Sequence, residues 1–125
     1  MRLFLVFAVT LSLVGCTRYA MNTHLNKAYL AYDSGDCATV TLELSKVDRD
    51  SRARPYVWPE VSMLRGQCLE RQNLFVDAAQ TYQYIITQFP QSEYAYRAQA
   101  RLVTLEQLGH YRPGSSPVQV RPVAY

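Results

Sequence analysis

The sequence predicts an all-α protein of about five helices, and three observations carry that reading. Phe75, Ala78, Ala79, Tyr82, Ile85, Ile86 and Phe89 recur at spacings of three and four, the apolar stripe of a helix covered on one side. Ala95, Ala98, Leu102, Leu105 and Leu108 repeat the pattern after a break at Pro90. No run shows the sustained two-residue alternation of a half-buried strand.

The first two helices of the domain span about Asn22–Tyr32 and Cys37–Val47, split by the turn-forming cluster Asp33-Ser34-Gly35-Asp36. A polar, Arg-rich connection, Asp48 to Trp58, leads to a third helix opened by Pro59 at a first-turn position, with Val61, Leu64 and Cys68 on one face. The fourth helix ends at Phe89-Pro90, Ser92 is a ready N-cap for the fifth, and Gly109 closes it. This places the helical domain at residues 22–109. Residues 110–125 have no helical period and three prolines, so they read as an extended or disordered tail. Its Val118-Gln119-Val120 alternation either adds a strand to a partner's sheet edge or is simply disordered.

The amino terminus addresses location. Arg2 precedes an apolar run, Leu3 to Val14, broken only by Thr10 and Ser12 and closed by Leu13-Val14-Gly15-Cys16. The run falls short of the roughly twenty residues a membrane-spanning helix needs. It resembles the bacterial lipoprotein signal, whose Leu-x-Gly-Cys box is cut before a lipidated cysteine. That resemblance implies a signal peptide at 1–15, an acylated Cys16 and a lipidated tether at 16–21. The plainer alternative is a secretory signal with an incidental cysteine. Several acyl chains, each contributing roughly 0.8 kcal/mol per buried CH2, hold a protein on a bilayer. Thr17 stands where Asp often signals inner-membrane retention, which favours the outer membrane, facing the periplasm. The covalent lipid on Cys16 is the only cofactor expected.

With Cys16 assigned to lipid, Cys37 and Cys68 remain, either as a disulfide in an oxidising compartment or as two separate buried thiols. The net charge of +3 is too small to imply a nucleic-acid partner. Ten tyrosines and one tryptophan suit both half-wet packing and contact surfaces.

The helices also repeat as pairs. The segment Arg71-Gln72-Asn73-Leu74-Phe75-Val76-Asp77-Ala78-Ala79-Gln80-Thr81-Tyr82, closing at Phe89-Pro90, resembles the tetratricopeptide (TPR) repeat. The resemblance puts Gly66 and Ala78 at small positions and Tyr82 at an aromatic one. Arg65 and Ile85 depart from the usual Leu and Ala. The pair Ala28–Val47 resembles a weaker copy with Val40 for Ala, and Gly35 and Asn73 occupy matching turns 38 residues apart. The run Phe89-Pro90-Gln91-Ser92-Glu93-Tyr94-Ala95 is similar to TPRs of outer-membrane barrel-assembly lipoproteins and of the Tol-Pal system accessory protein. Two TPR-like helical hairpins and a capping helix would then form a short right-handed superhelix whose first helices line a groove.

Carried over residue by residue, the candidate partner groove comprises Leu25, Tyr29 and Tyr32, then Met63, Gln67, Glu70 and Arg71, then Tyr94, Arg97 and Arg101. Arg97 and Arg101 share a helix face and either pair with carboxylates of an extended peptide or form the solvated face of a capping helix. Tyr29 and Tyr32 face the groove or pack near the tether. No enzyme is expected: His24 and His110 lie at opposite ends without ligand spacing, and no phosphate loop, nucleophile elbow or metal-binding motif occurs. The expectation is a membrane-anchored periplasmic adaptor lipoprotein mediating protein–protein interaction in an envelope assembly (outer-membrane, secretion, pilus or Tol-Pal). The alternative is a lipoprotein that binds peptidoglycan or polysaccharide.

Overall fold

The computed structural model describes the backbone of residues 2–114 and the side chains from Cys16 onward. It is all-α: α1 (Arg2–Asp33), α2 (Cys37–Asp50), α3 (Trp58–Arg71), α4 (Phe75–Gln88) and α5 (Glu93–Gln107), with a single 3-10 turn at Pro55–Val57 before α3. The Val118-Gln119-Val120 alternation expected in the tail, with all of residues 115–125, lies outside the described residues, as do the side chains of the expected signal segment.

Three of the helix ends share one device. After α1, the Asp36 amide donates to the Ala31 carbonyl and Gly35 to Tyr32; after α3, Leu74 donates to Leu69 and Asn73 to Glu70; after α5, His110 donates to Leu105 and Gly109 to Glu106. Each is the paired closure of a Schellman cap, which places one residue in the left-handed region. Gly35 (φ 80°), Asn73 (φ 61°) and Gly109 (φ 77°) are those residues, two glycines and the side chain best able to stand in for one. The helix starts differ. Asp36 caps α2 by accepting from the Thr39 amide at 3.0 Å, and Ser92 caps α5 by accepting from Ala95 at 3.2 Å.

Consecutive helices pack as antiparallel hairpins, α1 with α2 and α3 with α4, while α5 lies on α4 and touches α3. α3 is the hinge of the core. Its Val61, Leu64 and Cys68 join Met21, Ala28, Val40, Leu44 and Val47 in one cluster, while its Met63 joins Ala78, Tyr82, Ile85, Ala98, Leu102 and Leu105 in another. A disulfide joins Cys37 at the start of α2 to Cys68 near the end of α3, with Cα atoms 5.5 Å apart. That separation sits inside the range a bridge requires. The connection between the hairpins is packed as well: Ser51 and Val57 are buried, and Arg65 donates to Asp48 across it at 2.8 Å.

Two boundaries differ from expectation. Residues 16–21, the expected lipidated tether, are part of the first helix, and Met21 is buried in the first cluster, because α1 continues through them at the register that carries Ala28 and Ala31 inward. The tail does not begin at 110. His110 stacks on Phe75 with ring centres 3.8 Å apart, and Tyr111 packs on the second cluster and accepts from Gln83 at 2.6 Å. Among the described residues, no helix is long and apolar enough to cross a membrane.

Candidate functional site

α1, α3 and α5 run side by side, α3 in contact with both neighbours. Each brings polar side chains to their common face at helical spacing: Tyr29 and Tyr32, then Glu60, Gln67, Glu70 and Arg71, then Tyr94, Arg97 and Arg101. Tyr32, Gln67, Glu70, Arg71 and Arg101 line one cleft of about 290 Å³.

The two sides of that cleft are built differently. On the α5 side, Glu70 accepts a two-pronged interaction from the Arg101 guanidinium, with Nε 2.9 Å from Oε1, and a hydrogen bond from the Tyr82 hydroxyl at 2.5 Å. Burial works against the charge of Glu70, but the bonds from Arg101 and Tyr82 outweigh it and hold the carboxyl below its ordinary range. Burial and the same carboxylate push the Tyr82 phenol up, so it stays a neutral donor. On the α1 side, the Arg71 guanidinium lies 3.6 Å over the centre of the Tyr32 ring and donates to the Tyr32 carbonyl. Its charge forms no ion pair among the described residues.

Further along the face a second layer repeats the theme. Tyr29 donates to Glu60 at 2.7 Å, and Arg97 lies over the Tyr94 ring at 5.3 Å. Burial, then Glu60, raises the titration of both Tyr29 and Tyr94, so both phenols are neutral donors near neutral pH. Arg97 is exposed and, like Arg71, has no carboxylate partner among the described residues. Stacked on an aromatic face, each guanidinium is held in place while its donors stay available.

Most of the residues expected in a groove are thus brought together, with three exceptions. Met63 is only 3% exposed and belongs to the core, since α3 is covered by α4 and α5 on that side. Leu25 is half-buried and packs against the first core cluster. Arg101 lines the cleft, but its charge is already committed to Glu70. Glu60, which the sequence did not suggest for the groove, belongs to it. The signal was available: Glu60, Met63, Gln67 and Glu70 follow a three–four–three spacing, so the face that includes Gln67 also includes Glu60.

His24 also has an unforeseen partner. Its Nδ1 donates to the buried carboxylate of Glu43 at 2.6 Å, and Lys46 donates to the other oxygen at 2.6 Å. The hydrogen bonds from Lys46 and then His24 hold Glu43 below its ordinary range. Among the described residues, no group of three or more His, Cys, Asp or Glu is placed to hold a metal ion. Cys16, the candidate lipidation site, is exposed and outside any disulfide. Comparison with family models, with curated proteins and with solved structures returned no match.

Proposed function

We propose that this chain is a membrane-anchored adaptor lipoprotein of TPR-like build, held at the periplasmic side of the outer membrane through Cys16. Its role is to hold an acidic, extended segment of an envelope-assembly protein against the α1–α3–α5 face. The observation that carries the reading is the pair of guanidinium groups, Arg71 on Tyr32 and Arg97 on Tyr94, presented on one face without carboxylate partners among the described residues. A carboxylate arriving there finds fork-shaped donors already positioned, so little side-chain entropy is lost on binding. Tyr29 and Tyr94 flank it with apolar surface and neutral hydroxyls. Hairpins closed by repeated caps, and small residues where helices meet, support the TPR-like reading. The lipobox resemblance and the exposure of Cys16 support the anchor.

The test is crosslinking in cells with the full chain. Specific protein crosslinks, lost in Arg71→Glu with Arg97→Glu and retained in Arg65→Glu, are expected. Crosslinks indifferent to the first pair of substitutions would overturn the groove, and a Cys16→Ser chain that remains in the membrane fraction would overturn the anchor.

A further inference from the structure

Behind this face lies a larger cleft. The end of α2, the start of α3 and the first ten residues of α4 border an open cleft of about 610 Å³, lined among others by Asp48, Trp58, Arg65, Asp77, Gln80 and Tyr84. That volume is within the range of small-molecule sites. At about 100° per residue Arg65 lies roughly opposite Gln67, so the cleft and the arginine-bearing face occupy different sides of α3. We infer that this cleft is a binding site for a neutral glycan, with a sugar ring seated against Trp58 and Tyr84.

The chemistry of the lining suits that class. Trp58 and Tyr84 are large rings left 36% and 44% exposed, although the protein buries Tyr82 of the same helix completely. Both border the cleft, and Tyr84 is braced edge-on by Phe89 with ring centres 5.8 Å apart. A compact organic cation would use such rings and the Asp77 carboxylate, but it would leave the Gln80 amide and the other hydrogen-bonding groups of the lining unmatched, so it is the competing occupant that the titration separates from a sugar. An anion would use Arg65, but Arg65 is already bonded to Asp48 at 2.8 Å, and Asp77 adds a second carboxylate. Two rings beside several hydrogen-bonding side chains match an uncharged ligand with an apolar face and many hydroxyls. The axial C–H groups of a β-linked pyranose carry partial positive charge and suit the negative face of an aromatic ring. The planar carboxylates of Asp48 and Asp77, the Gln80 amide and the Arg65 guanidinium offer the paired donors and acceptors that vicinal hydroxyls require. None of these side chains belongs to the proposed adaptor face, so this inference does not rest on that reading.

Trp58 is the only tryptophan in the chain, so its emission reports on the cleft directly. The experiment titrates the full chain in detergent with the β-1,4-linked N-acetylglucosamine tetramer. A saturable change in emission is expected, weakened at least roughly tenfold by Asp77→Ala and by Tyr84→Ala, and unchanged by Lys27→Glu at an exposed position outside both sites. Circular dichroism of the two cleft variants checks that the helices persist, and Gln80→Ala is a third exposed variant should either fail to fold. Three outcomes overturn the inference: no saturable response up to about 10 mM sugar, a response unmoved in every folded cleft variant, or saturation by tetramethylammonium with none by the sugar.

Discussion

A side chain at position 66 would collide with the ring of Tyr82: a Cβ built on Gly66 lies 2.6 Å from Tyr82 Cε1 and 3.1 Å from Cζ. The ring has nowhere to go, because Tyr82 is fully buried and its hydroxyl is held by Glu70 at 2.5 Å. α3 and α4 therefore approach at a distance that only glycine permits. Gly66→Ala is expected to destabilise the protein by about 1–3 kcal/mol, as overpacking does in a well-filled core. Urea unfolding followed by helical ellipticity measures it. An unchanged midpoint would mean that the two helices separate without cost.

The Glu70–Arg101 contact ties α3 to α5 and is shielded on the carboxylate side, where Glu70 is 12% exposed. Arg101→Ala leaves that carboxylate with Tyr82 alone and is expected to cost about 1–2 kcal/mol. Adding Glu70→Gln should recover part of the loss, since the stranded charge is then gone. A double-mutant cycle on urea midpoints reads the coupling, and strict additivity of the two changes would contradict it.

The Cys37–Cys68 bridge closes a loop of 31 residues between the two hairpins. Restricting the unfolded chain to that extent is expected to stabilise the fold by roughly 3–4 kcal/mol. Reduction, or Cys37→Ser with Cys68→Ser, should lower the unfolding midpoint accordingly. Because α2 and α3 share the first core cluster, helicity should persist under mild conditions.

Acid should loosen the molecule through Glu43 and Glu70, whose carboxyls both lie below the ordinary glutamate value of 4.5. The unfolded chain takes up protons on these groups before the folded one does. The stability they contribute is therefore fully present above about pH 4.5 and is lost as pH falls through their lower folded values. Unfolding midpoints measured from pH 7 to pH 3 should decline along that limb, and Glu43→Gln should flatten it. A midpoint constant down to pH 3 would mean that neither carboxylate supports the fold.

How far the sequence reaches can be judged from particular residues. Ser92 as an N-cap, Gly109 as a stop and the matched turns at Gly35 and Asn73 were legible, since each depends on contacts within about five positions. The inward stripe of α4 was legible at Ala78, Ala79, Tyr82 and Ile85 for the same reason. Tyr32, Gln67, Arg71 and Arg101 line one cleft, and along the chain it was the resemblance to a repeat family, not local spacing, that suggested grouping them. Periodicity failed at Met63, where one helix is covered from two sides and a position that looks outward is enclosed.

The sequence by itself determined the all-α class, the order of the domain's helices and the turns between them, because those follow from spacing, caps and backbone preference. Only the tertiary structure decided which charges are committed. Arg97 and Arg101 are indistinguishable along the chain, yet Arg101 meets Glu70, 31 positions away, while Arg97 lies over the ring of Tyr94 with no ion pair among the described residues. His24 with Glu43, and Cys37 with Cys68, are likewise settled by how helices are set against one another. Local preference is blind to such pairs, since their partners are brought within bonding distance by the packing of apolar faces that carry no information about the charges beside them.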